Sequence, residues 1–507
     1  MKTLIAVGIV LGVAILIPVI HHYQLRAATE AYIAQLKAQG EPMELAQVIP
    51  LPVPPAQNGV PFIRHALTNL LWSGIVWTNP PQGMRMMASG RAIVGWRQPM
   101  IFGDFDYYRG FTATNTWEDL SRELAAAKGD LGSFQNLTNH PILDFNWDYQ
   151  NLKIPQTGWV KSSAQWLCAS AIYDLHEGHP QNACADVRAM LALVKGESNE
   201  RPIISQLIRI AIAAIGANAT WEILEDPNVS GGDLAQLQQD WQSLEFINPL
   251  EQAFKFDRAM GLRDFKQTRS SSEKFDKLWG YFYAPDAPKP DISQFGVPIP
   301  RSLFLRILDR IRWRWFWSYE DELYELRSSR VVIDATRIAE TNKSFQAVQS
   351  FADSNLASVR IPAYARHKPQ IHIRVGGIKG YGTAALRKAV SIEVTRNVVI
   401  TAIALKRYEL RHHQLPDTLG ELVPEFLRSV PTDYMDGQPL RYRRNTDGTF
   451  LLYSVGENGK DDGGNPALEQ GVESSSYYWL NPHALDWVWP QPATPEEVRN
   501  YYAHPPK

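Results

Sequence analysis

Length argues against a single hydrophobic core, since 507 residues make two or three domains the expectation. With 45% hydrophobic and 21% charged residues, the chain is neither disordered nor saturated with membrane spans. Its 51 Lys plus Arg face 53 acids, which leaves no basic footprint, so no nucleic-acid partner is expected.

After Met1 and Lys2 comes TLIAVGIVLGVAILIPVI, 18 uncharged and mostly apolar residues ending at Ile20. At about 1.5 Å per residue such a helix just spans a bilayer core of about 30 Å. A cleaved signal peptide usually has a shorter apolar stretch, roughly 7 to 15 residues, closed by a small-x-small site. Ala27 and Ala28 lie far downstream for that role. The reading is a retained signal anchor over 1–22, single-pass in the inner membrane, with Lys2 inside and the bulk of the chain extracytoplasmic. No cysteine near the segment could carry a lipoprotein anchor.

Residues 23–61 read as a stalk and linker, a polar helical stretch YQLRAATEAYIAQLKAQG followed by the Pro-rich IPLPVPPAQNGVP that no helix continues through. A helical body is expected over 62–382. Its first signals are PFIRHALTNLL and TWEDLSRELAAAKG, with Thr116 as N-cap and Asp119 in the position where a capping box usually has Glu or Gln. SSAQWLCASAIYDLHEGHPQNACADVRAMLALVKG then predicts an antiparallel helix pair, Trp159 to Glu177 and Gln181 to about Val194, turning at Gly178, His179 and Pro180. The pair resembles one tetratricopeptide unit, through Ala164, Tyr173, Gly178 and Ala183, with no series of repeats behind it. Cys168 and Cys184, the two cysteines of the chain, fall in this hairpin and are either a disulfide or two small buried thiols.

IISQLIRIAIAAIGANATWEILE and GGDLAQLQQDWQSLEF predict two further helices, and WGYFYAPDAPKPDISQFGVPIP a long loop. In IPRSLFLRILDRIRWRWFWSYEDELYELR, Arg301, Arg306, Arg310, Arg312 and Arg314 alternate with Trp313, Trp315 and Trp317. Membrane-surface contact is one meaning of that pattern. The favoured one is a domain helix with buried aromatics, its arginines snorkelling or pairing with Glu320, Asp321 and Glu322.

After VGGIKGYG, about 30 residues without Pro or Gly, TAALRKAVSIEVTRNVVITAIALKRYELRH, predict a helix of roughly 45 Å. LRYRRNTDGTFLLYSVG alternates as two short strands joined at Asn445 to Gly448. ALKRYELRHHQLPDTLGELV, VPTDYMDGQPLRY and LLYSVGENGKDDGG, in that order, resemble the C-terminal part of the major (G-type) pseudopilins of type II secretion, over about 80 residues from roughly 385 to 465. The resemblance implies a small α+β module over 383–507. It also implies a calcium-binding final loop, with Asn458, Asp461 and Asp462 as side-chain ligands and Val455 as a carbonyl donor. Calcium takes about six to eight oxygens and tolerates irregular loops with Gly at tight turns. Asn458 stands where the family often has Asp, and the Gly-Phe-Thr-Leu-x-Glu processing signal is not found before the apolar N-terminal run, so a pilin subunit is not expected. RGFTATNTWE at 109–118 is a chance echo of that signal, because no long apolar helix follows it. The loop lacks EF-hand spacing, and from its residues alone Glu457, Asp461 and Asp462 serve equally as a solvated turn. Anchor, body and C-terminal end together also resemble membrane-anchored bacterial proteins, a resemblance that implies architecture and no activity.

Catalytic signals are weak. HEGH at 176–179 puts its second His before Pro180 in a turn, where a zinc protease needs two His on one helical face. His367 with His372 would need distant partners to hold a metal, and VGGIKGYG lacks the Lys-Ser/Thr ending of a phosphate loop. Asp104 with Asp106, and Asp144 with Asp148, sit among aromatics as glycosidase acids often do, which makes a carbohydrate-active hydrolase the alternative function. The expectation is a mainly α, membrane-anchored binding or scaffolding protein with an envelope protein partner, no assigned catalytic residue and a possible secretion role.

Overall fold

The computed structural model describes residues 2–70, 74–78, 80–81, 83–99, 105–106, 110–111, 115–149, 158–275, 303–359, 380, 382–472 and 479–503. The longer helices are α1 (Lys2–Ala38), α2 (Val60–Asn69), α3 (Trp117–Ser133), α4 (Gly158–His176), α5 (Pro180–Gly196), α6 (Ile203–Leu224), α7 (Gly231–Gln242), α8 (Ile247–Ser270), α9 (Leu303–Arg312), α10 (Ser318–Asn342), α11 (Phe345–Ser358), α12 (Thr383–His412) and α13 (Pro495–Ala503). The strands are β1 (Arg85–Ala88), β2 (Arg91–Ile93), β3 (Phe105–Asp106), β4 (Gly110–Phe111), β5 (Arg441–Arg444), β6 (Phe450–Ser454), β7 (Trp487–Val488) and β8 (Gln491–Pro492). The fold is mainly helical, with small sheets. Two compact units interleave along the chain: Met1–Ile49, Gln252–Asp334 and Phe351–Ala384 form one, and Pro50–Glu251, Ala335–Ser350 and Ala385–Lys507 the other.

In the first unit the polar half of α1 is packed rather than free, with Leu36 and Met43 clustered on Leu326 and flanked by Tyr32, Ile33 and Leu262. Where α1 ends, the buried Arg258 guanidinium meets Glu41 at 2.7 Å and Arg330 reaches the same carboxylate at 3.0 Å. The side chains of residues 1–15 and 18, which carry most of the expected anchor, lie outside the described set. So do 276–300, His367, His372 and most of VGGIKGYG.

The second unit is built on α4, α5 and α6, which pack on one another as the hairpin pattern predicts. Thr116 caps α3 by the expected reciprocal box: its hydroxyl accepts from the Asp119 amide (3.1 Å), and Asp119 Oδ2 accepts from the Thr116 amide (3.0 Å). Cys168 and Cys184 are free and buried. Among the described residues one helix, α6, is long and apolar enough to cross a membrane. It buries Gln206, Arg209 and Glu222 within the unit, as a core helix does. Trp221 of α6 and Trp241 of α7 are fully buried, and their indole N–H groups donate to the Pro490 carbonyl (2.9 Å) and the Thr220 hydroxyl (3.1 Å).

The predicted long helix is α12, and it is buried on nearly every side, so its polar residues find internal partners. Glu393 accepts from the Phe246 amide and from Arg396, both at 2.8 Å, and Asn397 donates to the Thr432 carbonyl at 2.8 Å. The predicted hairpin is β5–β6, antiparallel with Arg441 opposite Tyr453, and β7 adds to the other edge of β6. Its turn is closed by the Asn445 amide on the Thr449 carbonyl (2.9 Å), with Gly448 at φ 86°. A second sheet joins β1 and β2 antiparallel, with β8 added parallel to β2.

Candidate metal centre

Strand β6 ends at Ser454, and the chain enters a loop in which Gly456, Gly459, Gly463 and Gly464 all have positive φ. Three of these positions need glycine sterically as well, Gly459 because a Cβ there would run into the Gln346 side chain. A Cβ at Gly456 would stand 3.2 Å from the Leu485 carbonyl, and one at Gly464 would run into the Leu451 side chain.

Two fully buried aspartates hold the loop at its ends. Asp433 accepts from the Ser454 hydroxyl (2.8 Å) and the amides of Val455 and Met435 (both 3.0 Å), with Arg441 at 3.1 Å. Asp486 accepts from the amides of Gly464 (2.8 Å), Asn465 (2.9 Å) and Asp462 (3.4 Å). Burial pushes both carboxyls above the usual carboxylate range, and the amides oppose that shift. The middle of the loop is held by Gln346, which donates to the Glu457 carbonyl (2.8 Å), and by Arg387, which donates to the Glu457 carboxylate (2.7 Å).

Of the residues implied as ligands, Asn458 and Asp462 meet: Asn458 Nδ2 donates to Asp462 Oδ2 at 3.0 Å, while Asn458 Oδ1 accepts from the Lys460 amide at 2.8 Å. Asp461 points elsewhere. Its Oδ1 accepts from the Tyr453 hydroxyl (2.9 Å) and the Gly463 amide (3.0 Å), and its Oδ2 stands 3.6 Å from Arg441 Nε. Burial resists its ionisation, yet the Gly463 amide, the Tyr453 hydroxyl and Arg441 together hold it below the usual range. Val455 is buried, its amide given to Asp433.

This donor set is all oxygen, which fits calcium in chemistry. Asn458 and Asp462 are side by side, with the Asn458 amide nitrogen toward Asp462, and Asp461 is turned to Tyr453 and Arg441. Among the described residues no three acidic, His or Cys side chains are grouped as for a metal. Asp433 and Asp486, which shape the loop, are absent from the sequence reading. Asp433 lies within VPTDYMDG, one of the stretches that carry the resemblance, whereas Asp486 has no local signal in the sequence.

Of the other sequence candidates, His176 and Asp144 have structural partners. His176 stacks on Trp117 (4.1 Å between centroids) and its Nδ1 donates to the Trp96 carbonyl (2.9 Å). Asp104 lies outside the described residues, and Asp144 Oδ1 closes a turn on the Asn146 amide (2.8 Å). Beneath that turn, desolvation pushes the buried Glu197 and Glu200 each up to about 8, and Glu200 accepts from the Tyr149 hydroxyl at 3.3 Å. Glu222 is likewise pushed up to about 8 by burial, against the Met84 and Gly95 amides that its carboxylate accepts at 2.8 and 2.9 Å.

No family model matches the chain, and no curated protein or solved structure matches it.

Proposed function

We propose that the chain is a membrane-anchored, extracytoplasmic binding or scaffolding protein, placed by its N-terminal helix in the inner membrane and working with a protein partner of the envelope, in a secretion-related role. Its C-terminal module is pseudopilin-like, and its 455–465 loop takes a calcium ion through Asn458, Asp462, Asp461 and the Val455 carbonyl. The observation that carries this reading is the convergence of Asn458 and Asp462 in a loop whose backbone Asp433 and Asp486 already hold. Two carboxylates and one amide are few charges for such an ion, so an affinity of about 10⁻⁴ to 10⁻³ M follows, in the range of extracellular modules.

Calcium titration of the full chain in detergent, by calorimetry and thermal melting, tests it. At a tenfold excess over Kd, binding stabilises the fold by about 1.4 kcal/mol. The gain disappears in the double variant Asn458→Ala, Asp462→Ala. An unchanged melting curve at several millimolar calcium makes the loop a solvated turn, and the calcium assignment fails.

The hydrolase alternative draws on Glu197 and Glu200, acids that hold a proton near neutral pH as a general acid must. Both are buried, and four further buried carboxylates of the same unit, Glu222, Glu393, Asp433 and Asp486, hold backbone amides, which favours scaffolding as the reading.

A further inference from the structure

Helix α9 and the single π-helical turn that follows it, Trp313–Trp317, leave an apolar face uncovered in the first unit. Ile307 and Ile311, one helical turn apart, are 43% and 47% exposed, and Trp315 and Phe316 continue the face at 45% and 38%. Trp313 is the fixed point. It is buried between Phe265 and Phe275, and its indole N–H donates to Asp321 at 2.9 Å. Arg312 and Arg314 are exposed, with no ion-pair partner among the described residues.

The position of this face matters as much as its composition. His22, two residues beyond the apolar run of α1, donates from Nδ1 to the Trp315 carbonyl at 2.8 Å, and its ring lies 5.1 Å from the Trp315 ring. Among the described residues of α1 just before it, the large apolar side chains of Leu16, Ile17 and Ile20 are exposed. A groove of ≈ 640 Å³ opens beside this contact; Arg26 and Arg269 pair there with Glu30 and Glu322, Lys37 pairs with Glu44, and Lys266 and Arg314 line it with no ion-pair partner among the described residues.

We propose that this end of the first unit is seated on the bilayer: Ile307, Ile311, Trp315 and Phe316 enter the interfacial layer, and Arg312, Arg314 and the basic groove take the headgroups of acidic phospholipids. Large aromatics beside arginines are the composition of an interfacial helix, with the rings at headgroup depth and the guanidinium groups on phosphate. The seat rests on the retained anchor proposed above, because α1 brings the face to the membrane. Of the two sequence meanings of WRWFW, Trp313 follows the buried one and Trp315 with Phe316 the surface one.

The test uses the full chain with Ile311→Cys carrying an environment-sensitive dye, and Asp353→Cys, exposed on α11, as reference. Cys168 and Cys184 are buried and their thiols pushed up to about 12, so the added thiol is the reactive one. The protein is reconstituted in vesicles of phosphatidylcholine with and without phosphatidylglycerol, and brominated lipid serves as quencher. In acidic vesicles the dye at 311 shifts to shorter wavelength and loses roughly half its emission, whereas the dye at 353 does neither. Arg312→Glu with Arg314→Glu reduces the quenching at least twofold, as does omitting phosphatidylglycerol. An unquenched dye at 311 in a chain that floats with the vesicles overturns the seat and leaves the anchor standing. Quenching that neither charge reversal nor neutral lipid alters overturns the acidic headgroup as occupant. A chain that fails to float after a high-salt wash overturns the anchor itself.

Discussion

Thr116 and Asp119 show how far a single short motif reaches. Their reciprocal hydrogen bonds satisfy two amides that the first turn of α3 would otherwise leave without a partner. Thr116→Ala is expected to lower stability by about 1 kcal/mol, measured by urea unfolding. Glu41 is a stronger case because its partner Arg258 is fully buried. Glu41→Ala removes a close countercharge from that buried guanidinium and is expected to cost about 3–5 kcal/mol, and a melting temperature unchanged in this variant would show that the pair does not hold the end of α1. Neither Arg258 nor Glu41 sits in a motif, so only their meeting in space marks them.

At the scale of elements, the loop from Val455 to Asn465 is ordered by backbone conformation and by donors from outside it. Gly464 has φ 78° and no room for a side chain, so Gly464→Ala is expected to cost about 1–3 kcal/mol in thermal melting and to weaken calcium binding with it. Asp486→Ala removes the acceptor of three loop amides and is expected to have the same two effects. A variant that melts as the parent does would show that the loop is held without Asp486, by Asp433, Gln346 and Arg387. Helix α12 makes the complementary point: its uninterrupted run of helix formers was enough to predict its span, and its near-complete burial came from what packs around it.

For the whole molecule the buried acids set the dependence on pH. Desolvation raises Glu197, Glu200 and Glu222 to about 8 and Asp186 to about 7. Each therefore holds a proton in the folded chain that the unfolded chain releases near its ordinary value of 4.5 for Glu or 3.8 for Asp. Folding stability from these groups is complete below those values, declines as pH rises, and is lost above about pH 8. The melting temperature is expected to fall between pH 5 and about pH 9, and Glu197→Gln, which mimics the protonated acid, to flatten that fall. A melting temperature that rises over this interval would show that these carboxylates are ionised in the fold.

The sequence by itself determined what depends on near neighbours. The hairpin of α4 and α5 followed from apolar spacing around Gly178 and Pro180, the cap of α3 from Thr116, the β5–β6 turn from Asn445 to Gly448, and the length of α12 from the absence of Pro and Gly. Half of the candidate site was legible in the same way, since the acids and glycines of 455–465 lie together in the chain. What the tertiary structure alone decided is which side chains meet: Asp433 and Asp486 on the loop amides, Asp461 turned to Tyr453 and Arg441, His22 on Trp315, and two compact units each assembled from separated segments. These pairings span from 8 residues, for Tyr453 with Asp461, to 293, for His22 with Trp315, and helix period, capping and turn chemistry act over only a few. Burial is a property of the packed chain, and it moves Glu197 and Glu200 toward neutral pH without leaving any mark in the residues beside them.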